Sequence, residues 1–166
     1  MKALLCNEYG AAEDLQITPV DAPSPGEGEI LVDVRAAGIN FPDLLVIAGK
    51  YQVKTPPPFI PGSEAAGIVS ATGAGVTRFK AGDRVILTPA LGAFAEQCVA
   101  PEHLCMHLPE SMTFEQGAGF TITYGTSYHA FRQSTAIREG ETVLVLGAAG
   151  GVGTTAVELA RAMGAR

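Results

Sequence analysis

Ala148, Gly150 and Gly153 stand at the spacing of a glycine-rich phosphate-binding turn, with alanine in the first place. Such a turn must be tight, and its backbone must approach a pyrophosphate closely. A helix starting there offers free N–H groups and a positive dipole end to the phosphates. Alanine in the first place tolerates the turn but leaves less room. A strand–helix turn without a ligand has the same composition. Context favours the dinucleotide: the apolar run Val143–Leu146 precedes the turn, as a parallel strand buried on both faces requires, and a helical pattern comes after it.

The residues able to bind a metal do not assemble into a ligand set. His103 and His107 are four apart, but the strand-like stretch around them and Pro109 deny them a shared helix face, and His129 is remote in sequence. Surface or locally satisfied histidines are the expectation, and no metal is expected. The three cysteines, Cys6, Cys98 and Cys105, are odd in number and lack a CxxC pair. This points away from a disulfide framework and towards a reducing, cytoplasmic setting.

The elements that position these residues change character along the chain. The first part alternates in the manner of β-structure. "MKALLC" reads as an edge strand. "EILVDVRAAGI" places Ile30, Val32, Val34 and Ala36 on one face. "NFPDLLVIAG" reads as a short helix, with Asn40 as N-cap, Pro42 in the first turn and Gly49 after its end. The prolines of "KYQVKTPPPFIPG" exclude regular structure and make a stiff excursion that could frame a pocket. Further strands are expected at Ala65–Ala71, Arg84–Thr88, "GAFAEQCVA" and "CMHLP". Six or so short strands with glycine turns predict a small, partly open β-barrel. Near Pro109 the period becomes helical. In the last helix Val152, Ala156, Leu159, Ala160 and Met163 share one face. The boundary between a β domain and an α/β domain is expected near residues 109–125.

Composition narrows the function classes. Hydrophobic residues at 47% against 17% charged describe a packed globular chain. A net charge of −6 with no two basic residues adjacent argues against a nucleic-acid surface and a polybasic membrane anchor. No stretch reaches the ~18–20 apolar residues of a membrane span.

Six motifs succeed one another over about residues 28 to 166: "AAGINFPD", "PPFIPGSEAAGIV", "VTRFKAGDRV", "GAFAEQCVAP", "TYGTSYHAF" and "GETVLVLGAAGGVG". In order and spacing they resemble the N-terminal half of the medium-chain dehydrogenase/reductase superfamily, most closely its zinc-independent NADPH:quinone oxidoreductase, zeta-crystallin-like branch. The resemblance implies a two-domain α/β architecture. A GroES-like, partly open β-barrel over residues 1–120 carries the substrate site. The first βα unit of a Rossmann fold comes next, over residues 121–166. Family members are about twice this length, so the chain is expected to be the first half of a longer one. The residue that selects NAD or NADP lies ~20 residues beyond the turn and falls after Arg166. A homodimer formed through the Rossmann sheet is implied for the full-length protein.

Zinc-dependent relatives hold their metal with a Cys, a His and a third Cys or acidic ligand. At the matching positions this chain has Asn40, Ser63 and Ile122. Neutral amide, hydroxyl and alkyl groups do not make a zinc site. Glu64 matches the Glu of the relatives' Gly-His-Glu, and a structural role is expected for it. The resemblance implies hydride transfer from NADPH to a quinone or α,β-unsaturated carbonyl, which leans on orientation and hydrogen bonds to a developing oxyanion. Asn40, Asp43 and Tyr51 match positions lining the nicotinamide and substrate cleft. Thr126 matches a threonine that contacts the nicotinamide. Ala148, Gly150, Gly151, Val152 and Gly153 are the expected cofactor-binding turn. Plainer roles stand beside these. Asn40 serves equally well as a helix cap, Asp43 as first-turn charge, Tyr51 as packing and Thr126 as a cap. Two other functions stay open. One is an enoyl-thioester reductase of the same fold, which "TYGTSYHAF" fits equally. The other, for this stretch alone, is a non-catalytic binding or structural module.

Overall fold

The computed structural model describes residues 1–166, which divide into two compact units, Met1–Gly119 and Phe120–Arg166. The first unit is built on an antiparallel five-stranded sheet. Its strands are β3 (Glu29–Ala37), β4 (Ala65–Thr72), β5 (Arg84–Leu87), β6 (Gln97–Pro101) and β7 (Cys105–His107). Their spatial order is β6-β3-β4-β5-β7. Strands β1 (Lys2–Leu5) and β2 (Gln16–Pro19) form a separate antiparallel pair. Single bridges tie that N-terminal region to the rest of the unit, Ala3 to Ala95 and Cys6 to Phe59.

The alternation in β3 has the expected consequence. Ile30 and Val32 are fully buried and pack with Ala65, Val69, Val85, Leu87, Cys98 and Cys105 in the main core. Burying such side chains stabilises the fold by about 1.5–3 kcal/mol each. The register shifts twice along the β3–β4 pair, between Leu31 and Val32 and again between Val34 and Ala36. Bulges of this kind bend a strand and re-aim the residues beyond them. After the second shift Ala37 stands opposite Ala65, and the Gly38 N–H donates to the Glu64 carbonyl at 3.0 Å. The segment leaving β3 is thereby held beside the segment entering β4.

Helix α1 (Phe41–Ile47) begins at once, with Pro42 in its first turn and Gly49 at φ +63° just past its end. A proline there loses no helical hydrogen bond, and glycine accepts the left-handed conformation that ends the helix. Helix α2 (Phe114–Ala118) closes the first unit, capped by Thr113, whose hydroxyl accepts the Gln116 N–H at 3.2 Å. Gly117 allows α2 to lie against the sheet, since a β-carbon there would meet Leu108 at 2.8 Å and Ala66 at 3.1 Å.

In the second unit, α3 (Thr121–His129) runs into a wider π turn over Ala130–Ser134, and α4 spans Gly151–Ala162. The two helices are joined by hydroxyls. Ser127 Oγ lies 2.9 Å from Thr155 Oγ1 and 3.0 Å from the Val152 carbonyl, and Thr155 Oγ1 lies 3.0 Å from the Thr123 carbonyl.

One expectation fails in this unit. Val143–Leu146 is not a strand buried on both faces: Leu144 is 83% exposed and Leu146 85%. A strand exists only in a ladder, and the segment's pairing goes no further than one rung. Val143 N–H donates to the Arg166 carbonyl and Arg166 N–H to the Glu141 carbonyl, each at 2.7 Å, in the parallel pattern. The buried face of α4 follows the periodic reading at Ala160, which is buried, and at Ala156, Leu159 and Met163, which are partly buried; Val152 departs from it at 43% exposed, and Thr155 joins the buried side. The paired hydroxyls of Ser127 and Thr155 decide which side of α4 faces α3. No helix of the chain is long and apolar enough to cross a membrane.

Candidate functional site

In the first unit the β3–β4 register brings two short segments together, and their side chains form a polar network. Asn40 precedes α1, but its side chain does not cap the helix. Its amide Nδ2 instead donates to Glu64 Oε2 at 3.2 Å. Asp43 Oδ2 accepts the Asn40 backbone N–H at 2.8 Å, and the Asp43 N–H donates to the Asn40 carbonyl at 3.0 Å. The other carboxylate oxygen of Asp43 accepts the Ser63 hydroxyl at 3.4 Å. Glu64 is 0% exposed and Asp43 5%. Burial pushes the Asp43 carboxyl above its ordinary value, and the hydrogen bonds from Asn40 and Ser63 pull it part of the way back.

Tyr51 stands apart from this network. It lies half-buried on the loop after α1, anchored through its backbone N–H to the Leu45 carbonyl at 3.1 Å. It makes no hydrogen bond to Asn40 or Asp43. The N-terminal segment supports the loop that carries it. Tyr9 Oη donates to the Thr55 carbonyl at 2.8 Å, and the Tyr9 ring packs so closely on Gly49 that a β-carbon there would stand 2.9 Å from it. Lys54 Nζ donates to the Gly49 carbonyl, closing the loop.

In the second unit the glycine turn has a definite shape. Gly147 holds the left-handed conformation, at φ +74°, so the tight turn falls one residue before Ala148. Ala148 follows it without a left-handed φ, and its Cα would stand 2.8 Å from a β-carbon on Gly153. Gly153 is the close-approach residue, because a β-carbon on it would stand 2.2 Å from the Gly147 carbonyl oxygen. The first helical bond of α4 across the turn is Thr154 N–H to the Gly150 carbonyl, at 2.8 Å. The N–H groups of Gly151, Val152 and Gly153 precede it and have no acceptor one turn back within the helix. Gly150, Gly151 and Val152 are exposed at this end. Thr126 is exposed on α3, and no hydrogen bond joins it to the turn.

Residues 26–110 match the alcohol dehydrogenase GroES-like domain. The chain belongs to that family. Human quinone oxidoreductase is 39% identical to it over 166 residues, 99% of this chain and 50% of that protein. The chain thus spans about half the length of the curated relatives it matches. Among solved structures, the Escherichia coli quinone oxidoreductase complexed with NADPH superposes with a TM-score of 0.95 at 37% identity, covering all of this chain and 51% of that one. The human synaptic vesicle membrane protein VAT-1 homolog-like protein superposes at 0.96 with 32% identity, covering 99% of this chain and 54% of that one. The medium-chain dehydrogenase/reductase fold, with its GroES-like sheet, is therefore the architecture of this chain.

In this member of the GroES-like family, Asn40 and Ser63 present an amide and a hydroxyl, and both are engaged with carboxylates. No three His, Cys, Asp or Glu side chains come together in a group able to hold a metal ion. His107 lies against the Phe79 ring, with its Nε2 3.2 Å from the Arg78 carbonyl. His129 Nδ1 lies 2.6 Å from Gln133 Oε1. The link between Glu64 and Asn40, and the part of Gly147, escape a reading of the sequence alone. Glu64 belongs to the Asn40 network through a 24-residue separation. Gly147 could have been found as a glycine immediately after the apolar run, where a left-handed residue is needed to turn the chain.

Proposed function

We propose that this chain is part of a zinc-independent reductase that uses NADPH to reduce quinones and α,β-unsaturated carbonyls. The observation that carries the reading is the turn from Gly147 to Gly153. Its backbone is packed to within the radius of a missing β-carbon, and it ends in a twelve-residue helix whose first-turn N–H groups have no acceptor one turn back within the helix. These groups suit a pyrophosphate. When bound there, NADPH supplies the hydride. The E. coli structure supports the cofactor's identity for that relative, and the likeness extends it to this chain.

The chain's own residues then bind and orient. Gly151, Val152 and Gly153 hold phosphate oxygens through their N–H groups, Gly150 leaves room for close approach, and Thr126 contacts the nicotinamide. Asn40 offers an amide to the substrate oxygen on which negative charge develops. Asp43 fixes the backbone from which that amide projects. Tyr51 supplies a hydroxyl and an aromatic edge at the rim. Solvent protonates the reduced product.

The test uses the natural-length protein and follows NADPH oxidation with benzoquinone, with an enone and with a crotonyl thioester, with and without a metal chelator. Turnover of the quinone and enone, unaffected by chelation, is expected. Turnover of the thioester alone would replace this reading with the enoyl reductase. Loss of activity on chelation would remove the zinc-independent assignment.

A further inference from the structure

We infer that Glu64 is a positioning residue whose buried carboxylate dictates which end of the Asn40 amide faces the site. The inference rests on the role proposed for Asn40 above and adds what controls it. An amide has two chemically opposite ends, an oxygen that accepts and an NH2 that donates twice. A carboxylate beside it accepts only. With Glu64 Oε2 3.2 Å from Asn40 Nδ2, the NH2 end turns towards Glu64, since the reverse would set the amide oxygen against the oxygen of a carboxylate that is itself closed to water. One N–H of Asn40 is spent there. The second N–H and Oδ1 remain to present to a bound molecule.

Three further observations fit this role. The Asn40 side chain makes no cap hydrogen bond, and the Asp43 N–H goes to the Asn40 backbone carbonyl at 3.0 Å. Glu64 is itself fixed by its backbone, whose carbonyl accepts the Gly38 N–H at 3.0 Å. Space for its carboxylate depends on Gly38. A β-carbon there would stand 2.9 Å from Glu64 Oε2 and 2.3 Å from the Ala118 carbonyl oxygen. Gly38 is thus small because a carboxylate and the end of α2 both crowd it.

The decisive variant is Glu64→Gln in the natural-length protein. Glutamine keeps the size and a hydrogen bond, but it can donate or accept and no longer chooses an orientation for Asn40. Two measurements are made. The first is the side-chain amide signal of Asn40 in protein made with isotope-labelled asparagine. The second is quinone turnover in a double-mutant cycle with Asn40→Ala. Expected are a shifted or doubled Asn40 amide signal and a kcat lowered on the order of 10-fold or more. The KM for NADPH and the melting temperature should be unchanged, and Glu64→Gln should have no further effect in the Asn40→Ala background. An unmoved amide signal, or equal losses in both backgrounds, would overturn the inference. If Asn40→Ala leaves turnover intact, the catalytic role of Asn40 fails. The amide signal then decides the positioning role by itself.

Discussion

The carbonyl oxygen of Gly147 stands 2.2 Å from the point a β-carbon on Gly153 would have to occupy. The obstruction is backbone and cannot rotate aside. Gly153→Ala must therefore open the turn, and a loss of about 1–3 kcal/mol in stability is expected. Gly147→Ala meets no neighbour but keeps the left-handed φ of +74°, which costs about 1–2 kcal/mol. Both changes should weaken NADPH binding in the natural-length protein, measured by titration and by thermal melting. Gly125→Ala, in the exposed middle of α3 with open space around it, is the control and should stabilise by about 0.5–1 kcal/mol. Undiminished NADPH affinity in Gly153→Ala would remove the turn from the cofactor site.

Asp43 gives a pH dependence whose sign is set by burial. Its folded carboxyl titrates above the ordinary value of 3.8, so the folded state holds the proton more tightly than the unfolded state. Its contribution to stability is therefore largest below the unfolded value. That contribution declines as pH rises through the window up to the folded value and is constant above it. Asp43→Asn keeps an acceptor for the Asn40 N–H and has no such titration. Denaturant unfolding of both proteins from neutral pH into the acid range should show wild type gaining stability relative to Asp43→Asn as pH falls. A gap that moves the other way would show that the hydrogen bonds from Asn40 and Ser63 outweigh desolvation.

These residues also mark how far the sequence could be read. The β3 strand was legible because Ile30 and Val32 repeat at the period of a sheet with one buried face. The α1 start was legible from Asn40 and Pro42, but the cap was not. A side chain that could cap its own helix was drawn instead to a buried carboxylate 24 residues away. That contact depends on two register shifts between β3 and β4, and no local pattern encodes them. The run Val143–Leu146 has the composition of a buried strand, yet composition supplies no partner, and the segment makes one rung only. The left-handed residue of the turn, Gly147, was not legible, because spacing alone does not reveal the sign of φ.

The three cysteines should be chemically silent in the folded protein. Cys6, Cys98 and Cys105 are all buried, and burial pushes the thiols of Cys98 and Cys105 up to about 12. Cys6 is raised by the same cause. The thiolate is the reactive form, and little is present at neutral pH. Alkylation with iodoacetamide, mapped by peptide masses, should leave all three unmodified in native protein and label all three after denaturation. Rapid native labelling of Cys98 or Cys105 would mean that the core around β6 and β7 opens far more readily than its packing implies.

Leu144 and Leu146 should govern self-association of the 1–166 chain made by itself. Both are more than four-fifths exposed on an extended segment whose backbone is paired at one rung. An apolar segment with unpaired N–H and C=O groups is a template for pairing with another chain. The 1–166 chain is expected to elute from gel filtration as concentration-dependent oligomers or to precipitate. Leu144→Lys places a charge at the centre of the segment, disfavouring edge pairing without touching a buried residue. It should shift the elution towards monomer and leave the helical circular dichroism unchanged. A monodisperse monomer of the unaltered chain at high concentration would show that the exposed run is not sticky. Oligomers that persist in Leu144→Lys would move the association surface elsewhere, with the exposed apolar side chains of Ile39, Phe41 and Val53 the next to be substituted.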